Sequence, residues 1–278
     1  MYKLVNNFKT TLLMGSLMGL CLAIGYLIGG QGALLPALVI GGAMNLFAYY
    51  FSDKIALATM HAQEVSPDDD PELWSIVERL AERAGLPMPR VHVSPAAAPN
   101  AFATGRNPSH SAVCVTEGLR RMLNRDELEG VIAHELSHVK HRDVLISTIA
   151  AIMAGAITWL AYMAAWGHSD RRSNPLVGLL LLLLAPLAAG LIRMAISRSR
   201  EFEADRMGAE LVGTGRGLAR SLQKLDAASR RIPLPVPDAQ GSLFIVQPLT
   251  GRDMAKLFST HPSTEERVAR LLEMERSS

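Results

Sequence analysis

Four apolar stretches, residues 11–30, 32–51, 144–166 and 176–196, decide most of what this chain can fold into. Each comes close to the about 20 residues that a helix needs to cross a bilayer core. Lys3 and Lys9 precede the first run as they would in a secretory signal, but the second run begins almost at once. No polar, cleavable segment separates the two, so they read as a helical hairpin turning at Gly30–Ala33. Gly15/Gly19 and Gly25/Gly29 are small-residue pairs suited to close helix packing. Asn45, the one amide of the second run, is expected to make an interhelical hydrogen bond.

Positive residues orient the spans. Lys3 and Lys9 flank the first, and the turn at Gly30–Ala33 has no charge, which places the N-terminus in the cytoplasm. Segments 52–143 and 197–278 then lie on the cytoplasmic side, with Arg193, Arg198 and Arg200 marking the end of the fourth run. Arg171 and Arg172, in the short loop placed outside, run against this assignment but are outnumbered. The balance of 49% hydrophobic and 19% charged residues suits a chain that is part membrane and part water-soluble. A net charge of +2 gives no footprint for nucleic acid. Cys21 and Cys114 are too few and too far apart for a disulfide framework, which fits a reducing compartment. A metal here must therefore rest on histidine and carboxylate.

In the first soluble segment, "DPELWSIVERLAERAGLPMP" carries Leu73, Ile76, Val77, Leu80 and Ala84 at helical spacing, ended by Gly85 and Pro87. "RVHVS", "NAFATG" and "SAVCVT" read as short strands. "NRDELEGVIAHELSH" opens a helix with Asn124 as N-cap and Glu127 in capping-box position. The prolines at 233, 235 and 237 place a loop over 232–241, a candidate cover for whatever site the domain holds.

That helix carries the chemistry. His134 and His138, four residues apart, share a face and can chelate one ion, with Glu135 beside them to take a proton from a bound water. His141 stands about 10.5 Å along the axis from His134, too far to share the ion. A histidine six residues after the second ligand would complete the extended zinc-protease pattern, but that position is Val144. Another third ligand comes from "RSREFEADRMGAEL", after the fourth apolar run. If the helix of "HELSH" continues straight into the membrane, His138 lies about 9 Å above the apolar boundary, and Glu201 lies about 7–8 Å above it on the antiparallel neighbour. Glu203 points about 200° round from Glu201. Asp205 shares the Glu201 face and could fix the tautomer of a ligating imidazole.

"HELSH", "EFEAD", "NAFATG" and "HPSTEER", in this order around two hydrophobic hairpins, resemble the HtpX family of membrane-bound zinc endopeptidases, relatives of the proteases that trim prenylated CAAX proteins. The resemblance covers nearly the whole chain. It implies an α+β, mainly helical integral membrane protein with four transmembrane helices and a cytoplasmic zincin-like metalloprotease domain containing a small β-sheet. It implies one Zn2+ per chain held by His134, His138 and Glu201, with Glu135 as base and Asp205 behind the ligands. Misfolded or damaged membrane proteins of the bacterial cytoplasmic membrane would be the substrates. The strand of Asn100, Ala101 and Phe102 is then the edge on which a peptide lies extended. His261 is a candidate donor to the developing oxyanion, with Arg267 a second; the plainer reading makes Ser263 and Glu266 a capping box that starts the last helix. Two rivals remain: a processing protease for lipidated chains, and a scaffold in which zinc only ties helices together. An intact Glu135 speaks against the scaffold.

Overall fold

The computed structural model describes residues 30–145, 198–229 and 262–277, with position 149 and scattered positions between 8 and 26. Apart from 144, 145 and 149, the two later apolar runs lie outside the described residues, as do the loop 232–241 and His261.

A 3-10 turn at Gly30–Ala33 stands where the hairpin turn was expected, with Gly30 at φ 61°, and α1 follows over Leu34–Thr59. Asn45 does reach across, donating from Nδ2 to the Met14 carbonyl at 3.2 Å. Gly41 is one glycine that lets the two segments close, and Gly25 and Gly29 lie outside the described residues. A Cβ on Gly41 would stand 2.8 Å from the Cys21 Cβ, whereas Gly15 and Gly19 have no described neighbour within 4 Å. Gly30–Thr59 is the one described helix long and apolar enough to cross a membrane. Its large side chains stay exposed from Leu35 to Phe51. The helix then runs eight residues past the expected boundary, because Ser52, Asp53, Ala56 and Leu57 find a partner to bury against.

That partner is a four-stranded sheet. β1 (Gln63–Glu64), β2 (Arg90–Ser94), β3 (Ala101–Asn107) and β4 (His110–Thr116) are ordered β1-β2-β4-β3, with β2 and β4 parallel and the other pairs antiparallel. Strand alternation divides its side chains between two faces. Phe102, Ala112 and Cys114 meet Ala56 and Leu57 of α1, while Ala101, Val91, Val113 and Val115 join the helical core on the other side. Arg90 binds Asp53 at 2.6 Å and the Ser94 hydroxyl donates to the Met60 carbonyl at 2.5 Å, so the sheet is latched to the end of the apolar helix. β3 is an edge strand.

The helices packed on the inner face are α2 (Pro71–Ala84), α3 (Glu117–Met122), α4 (Arg125–His141), α5 (Arg198–Val212), α6 (Arg216–Ser229) and α7 (Thr264–Ser277). α2 begins where the Asp70 carboxylate accepts from the Leu73 amide at 3.1 Å and ends at Gly85, φ 67°. Its Leu73, Ile76, Val77 and Leu80 are fully buried, each worth at most about 1.5–3 kcal/mol against exposure. α4 has the expected capping box, with both Asn124–Glu127 bonds at 3.0 Å. It does not run straight on past His141, however. Arg142 takes the left-handed conformation, φ 58°, and closes the helix, so the axial-height argument for a straight rod gives way to a turn.

Candidate metal centre

α4 is buried along almost its whole length, from Glu127 to Ser137. Polar side chains in such a helix need partners. Gly208 of α5 supplies the close crossing that brings them: a Cβ there would stand 3.1 Å from the His134 amide nitrogen and 3.3 Å from its Cα. With the helices this near, Glu201, one turn inside α5, reaches the two histidines.

The ring planes of His134 and His138 stand at 87°, and their Nε2 atoms are 3.1 Å apart. Glu201 places Oε2 at 3.8 Å from His134 Nε2 and Oε1 at 3.7 Å from His138 Nε2. Three ligand atoms around a tetrahedral zinc at 2.0–2.1 Å would lie about 3.3 Å from one another. The partners of the two imidazoles agree with a cation at the centre. His134 Nδ1 sits 3.0 Å from Asp205 Oδ1, and His138 Nδ1 sits 3.1 Å from Asp143 Oδ2. A proton on each Nδ1 leaves both Nε2 lone pairs facing one point, which is unfavourable unless a metal shares them. Without the ion, burial disfavours a charged His138, yet Asp143, Glu201 and Glu135 outweigh it and hold its pKa up at about 10. The surroundings call for positive charge.

Glu135 is buried beside the ligands, and burial raises its carboxyl above the usual range against the pull of both histidines. One oxygen, Oε2, accepts the Ala103 amide at 2.8 Å. That bond joins α4 to the outer edge of β3. Asp205, despite burial, is held below the usual carboxylate range by the Arg267 guanidinium and by His134. Arg200, also buried, has its pKa lowered by burial while Asp143 and Glu201 act on it in the opposite sense.

The residues named from sequence thus divide. His134, His138 and Glu201 come together, and among the described residues they are the one group placed to hold a metal. Asp205 lies behind His134. Glu203 turns away to pair with Arg206 at 2.5 Å, as its angle required. Arg267 is not on the open side of the site, because its Nε and Nη2 are committed to Asp205 and its Nη1 lies 3.6 Å from Glu201. His261 lies outside the described residues; Ser263 does cap α7, accepting the Glu266 amide at 3.1 Å. Asn100 is buried at the head of β3, where its amide donates to the Thr116 hydroxyl and its carbonyl accepts the Thr116 amide, both at 2.9 Å, and Ala101 and Phe102 follow it in the strand. Asp143 and the Ala103 amide were missed. A carboxylate placed just past the helix end was the available signal for the first.

The model of peptidase family M48 matches residues 67–275. The chain belongs to that family. It is 52% identical to the Protease HtpX homolog of Pelotomaculum thermopropionicum over 276 residues, 96% of this chain and 98% of the relative. The Protease HtpX homolog of Pyrococcus furiosus is 53% identical over 271 residues, 95% of this chain and 94% of that one. The fold resembles the crystal structure of S. mikatae Ste24p, with a TM-score of 0.53 at 18% identity over 97% of this chain and 66% of that chain. The M48 chain described here is a zinc metallopeptidase, and His134, His138 and Glu201 form the zinc site typical of its family.

Proposed function

We propose that this peptidase is an endopeptidase of the bacterial cytoplasmic membrane that cuts cytoplasmic parts of misfolded or damaged membrane proteins, with Glu135 as its general base. Segments 1–51 and 144–196 form the membrane hairpins in this reading, and 52–143 and 197–278 form the protease on the cytoplasmic side. The observation that carries it is the Glu135–Ala103 bond, which sets a buried carboxylate between the zinc ligands and a strand edge.

Bound zinc supplies a Lewis acid and brings the pKa of water down towards neutrality. Glu135 accepts the proton of the attacking water and returns it to the leaving amine; its raised pKa suits a group that must do both. Asp205 and Asp143 hold the imidazoles in the Nδ1–H tautomer throughout. A peptide lies extended along the outer edge of β3, held at Asn100, Ala101 and Phe102. His261 donates to the oxyanion.

The test is casein proteolysis by the detergent-purified chain with zinc, beside Glu135→Gln and a chelator-treated sample. Cleavage that disappears in Glu135→Gln with zinc still bound is the expected result. One cut near the C-terminus of lipidated chains, with unfolded casein untouched, would replace this reading by a processing protease.

A further inference from the structure

Contacts between α1 and the sheet follow one order along the helix. The Met60 carbonyl accepts from Ser94, Ala56 and Leu57 pack on Phe102, and Asp53 binds Arg90. Tyr50 comes last, with the Arg106 guanidinium over its ring, 5.6 Å from the centroid. Phe102 shares a row across the sheet with Cys114 and His92, and Thr104 shares the next with Ala112 and Arg90. Residues 102, 104 and 106 thus descend α1 in step. β3 runs along the helix towards its apolar band, not across it.

The band ends where the strand does. Tyr50 and Phe51 are its last large side chains, and Lys54 lies over the Phe51 ring at 5.3 Å as Arg106 does over Tyr50. Aromatic rings and basic groups gather in this way at a bilayer surface. A second apolar run gives a similar height independently, because Val144, its first residue, forms one buried cluster with Ala103 and Val139. The pairing of β3 with β4 also loses register between Gly105 and Asn107, so the regular edge stops there. Glu135 meets this edge at the Ala103 amide. From Ala103 to Arg106 is about 10 Å of strand.

We propose that the enzyme cuts membrane substrates at a set distance from the bilayer, in an extended segment within about five residues of the end of a span. This rests on the membrane-peptidase reading above and names its substrate more closely. A peptide paired with the outer edge of β3 follows the direction of that strand, so one of its ends points at the lipid. An extended chain covers about 10 Å in three residues, whereas a helix needs about seven. A span whose helix continues two turns beyond the membrane therefore presents no extended chain to Glu135 and is passed over. A span whose flanking segment has lost its structure is taken.

The experiment places the full chain with zinc in vesicles beside a single-span model substrate. Its tail is one repeated polar unit, so that every register offers the same sequence, and the tail follows the span in one substrate and precedes it in another. Mass spectrometry reads the cut, with Glu135→Gln as the blank. Cleavage is expected about three to five residues from the span in at least one polarity. Replacing the first four tail residues by leucine should move the cut outwards by the same number. A helix of two turns built from Ala, Glu and Lys at the boundary should lower cleavage by about tenfold. Cuts spread along the tail, a cut that stays in place when the boundary moves, or equal cleavage behind the helix each overturns the proposal. Casein cleaved with both model substrates left whole overturns it too, while the peptidase reading stands. Neither casein nor a model substrate cleaved overturns the peptidase reading itself.

Discussion

Arg267 and Asp205 meet in the interior through two parallel bonds, Nε to Oδ2 at 2.8 Å and Nη2 to Oδ1 at 2.7 Å. Both side chains are almost completely buried, and Asp205 in turn lies 3.0 Å from His134 Nδ1. The last helix of the chain is thereby joined to a zinc ligand on α4 through one carboxylate on α5. The guanidinium also compensates for the buried negative charge of Glu201 and Asp205, an arrangement that only a forked, permanently charged group can make with this geometry.

Removing one partner of such a pair leaves the other charged and alone. Arg267→Met should destabilise the protein by about 3–5 kcal/mol, read as a large fall in thermal midpoint in detergent. Arg267→Lys keeps the charge but loses the fork. It should fold, yet bind zinc about 10–100-fold more weakly in a chelator competition, because Asp205 no longer holds His134 in place. Wild-type zinc affinity in the lysine variant would show that the clamp has no part in orienting the ligand.

The Ala103 amide can be removed without touching a side chain of the site. Ala103→Pro deletes the donor to Glu135, and β3 is an edge strand whose amide at this position points away from β4, so proline is tolerated there. The expected variant is folded and retains zinc, with kcat/KM lower by about 10–100-fold as Glu135 loses its orientation. Loss of zinc together with activity would instead mean that the strand supports the whole site.

How much of this could be read from the residues depends on how local each feature is. The capping box at Asn124 and Glu127, the His134–His138 pair and the outward turn of Glu203 follow from helix periodicity alone, and the structure has them all. Asp143 was hidden because it reaches His138 through a left-handed turn at a non-glycine residue, which no local propensity announces. Arg267 stands four residues before the buried Leu271, so an arginine on the apolar face of α7 was a visible signal. Its partner lies 62 positions back in the chain, however, and could not be named. The extension of α1 to Thr59 was missed for a similar reason: "SDKIALAT" becomes a buried helix end only once the sheet is there to cover it.

Metal and protons compete at His138, and the sign of the effect follows from its raised pKa. In the metal-free protein the folded value is about 10 against an ordinary 6.5, so the native state binds the extra proton between those limits. Stability contributed by that proton is fully present below about pH 6.5 and is lost as pH rises towards about 10. The thermal midpoint of chelated protein should therefore fall over this window. With zinc present the trend in affinity is the opposite, since deprotonated imidazole is the ligand and each zinc taken up releases a proton. Chelated protein whose midpoint stays level across the window would contradict the field of Asp143, Glu201 and Glu135 at His138.

Gly208→Ala tests whether the crossing of α4 and α5 is as tight as the geometry requires. An isolated helix gains about 1 kcal/mol from this substitution, because alanine is the better helix former. Here the new methyl would lie 3.1 and 3.3 Å from main-chain atoms of His134, which cannot swing aside as a flexible side chain would. α5 must shift by a few tenths of an ångström, and Glu201 on the same helix moves with it. The cost of overpacking, about 1–3 kcal/mol, should then exceed the propensity gain, giving a lower thermal midpoint and weaker zinc binding in the same variant. A midpoint that rises with zinc affinity unchanged would mean that the helices have room to spare at Gly208.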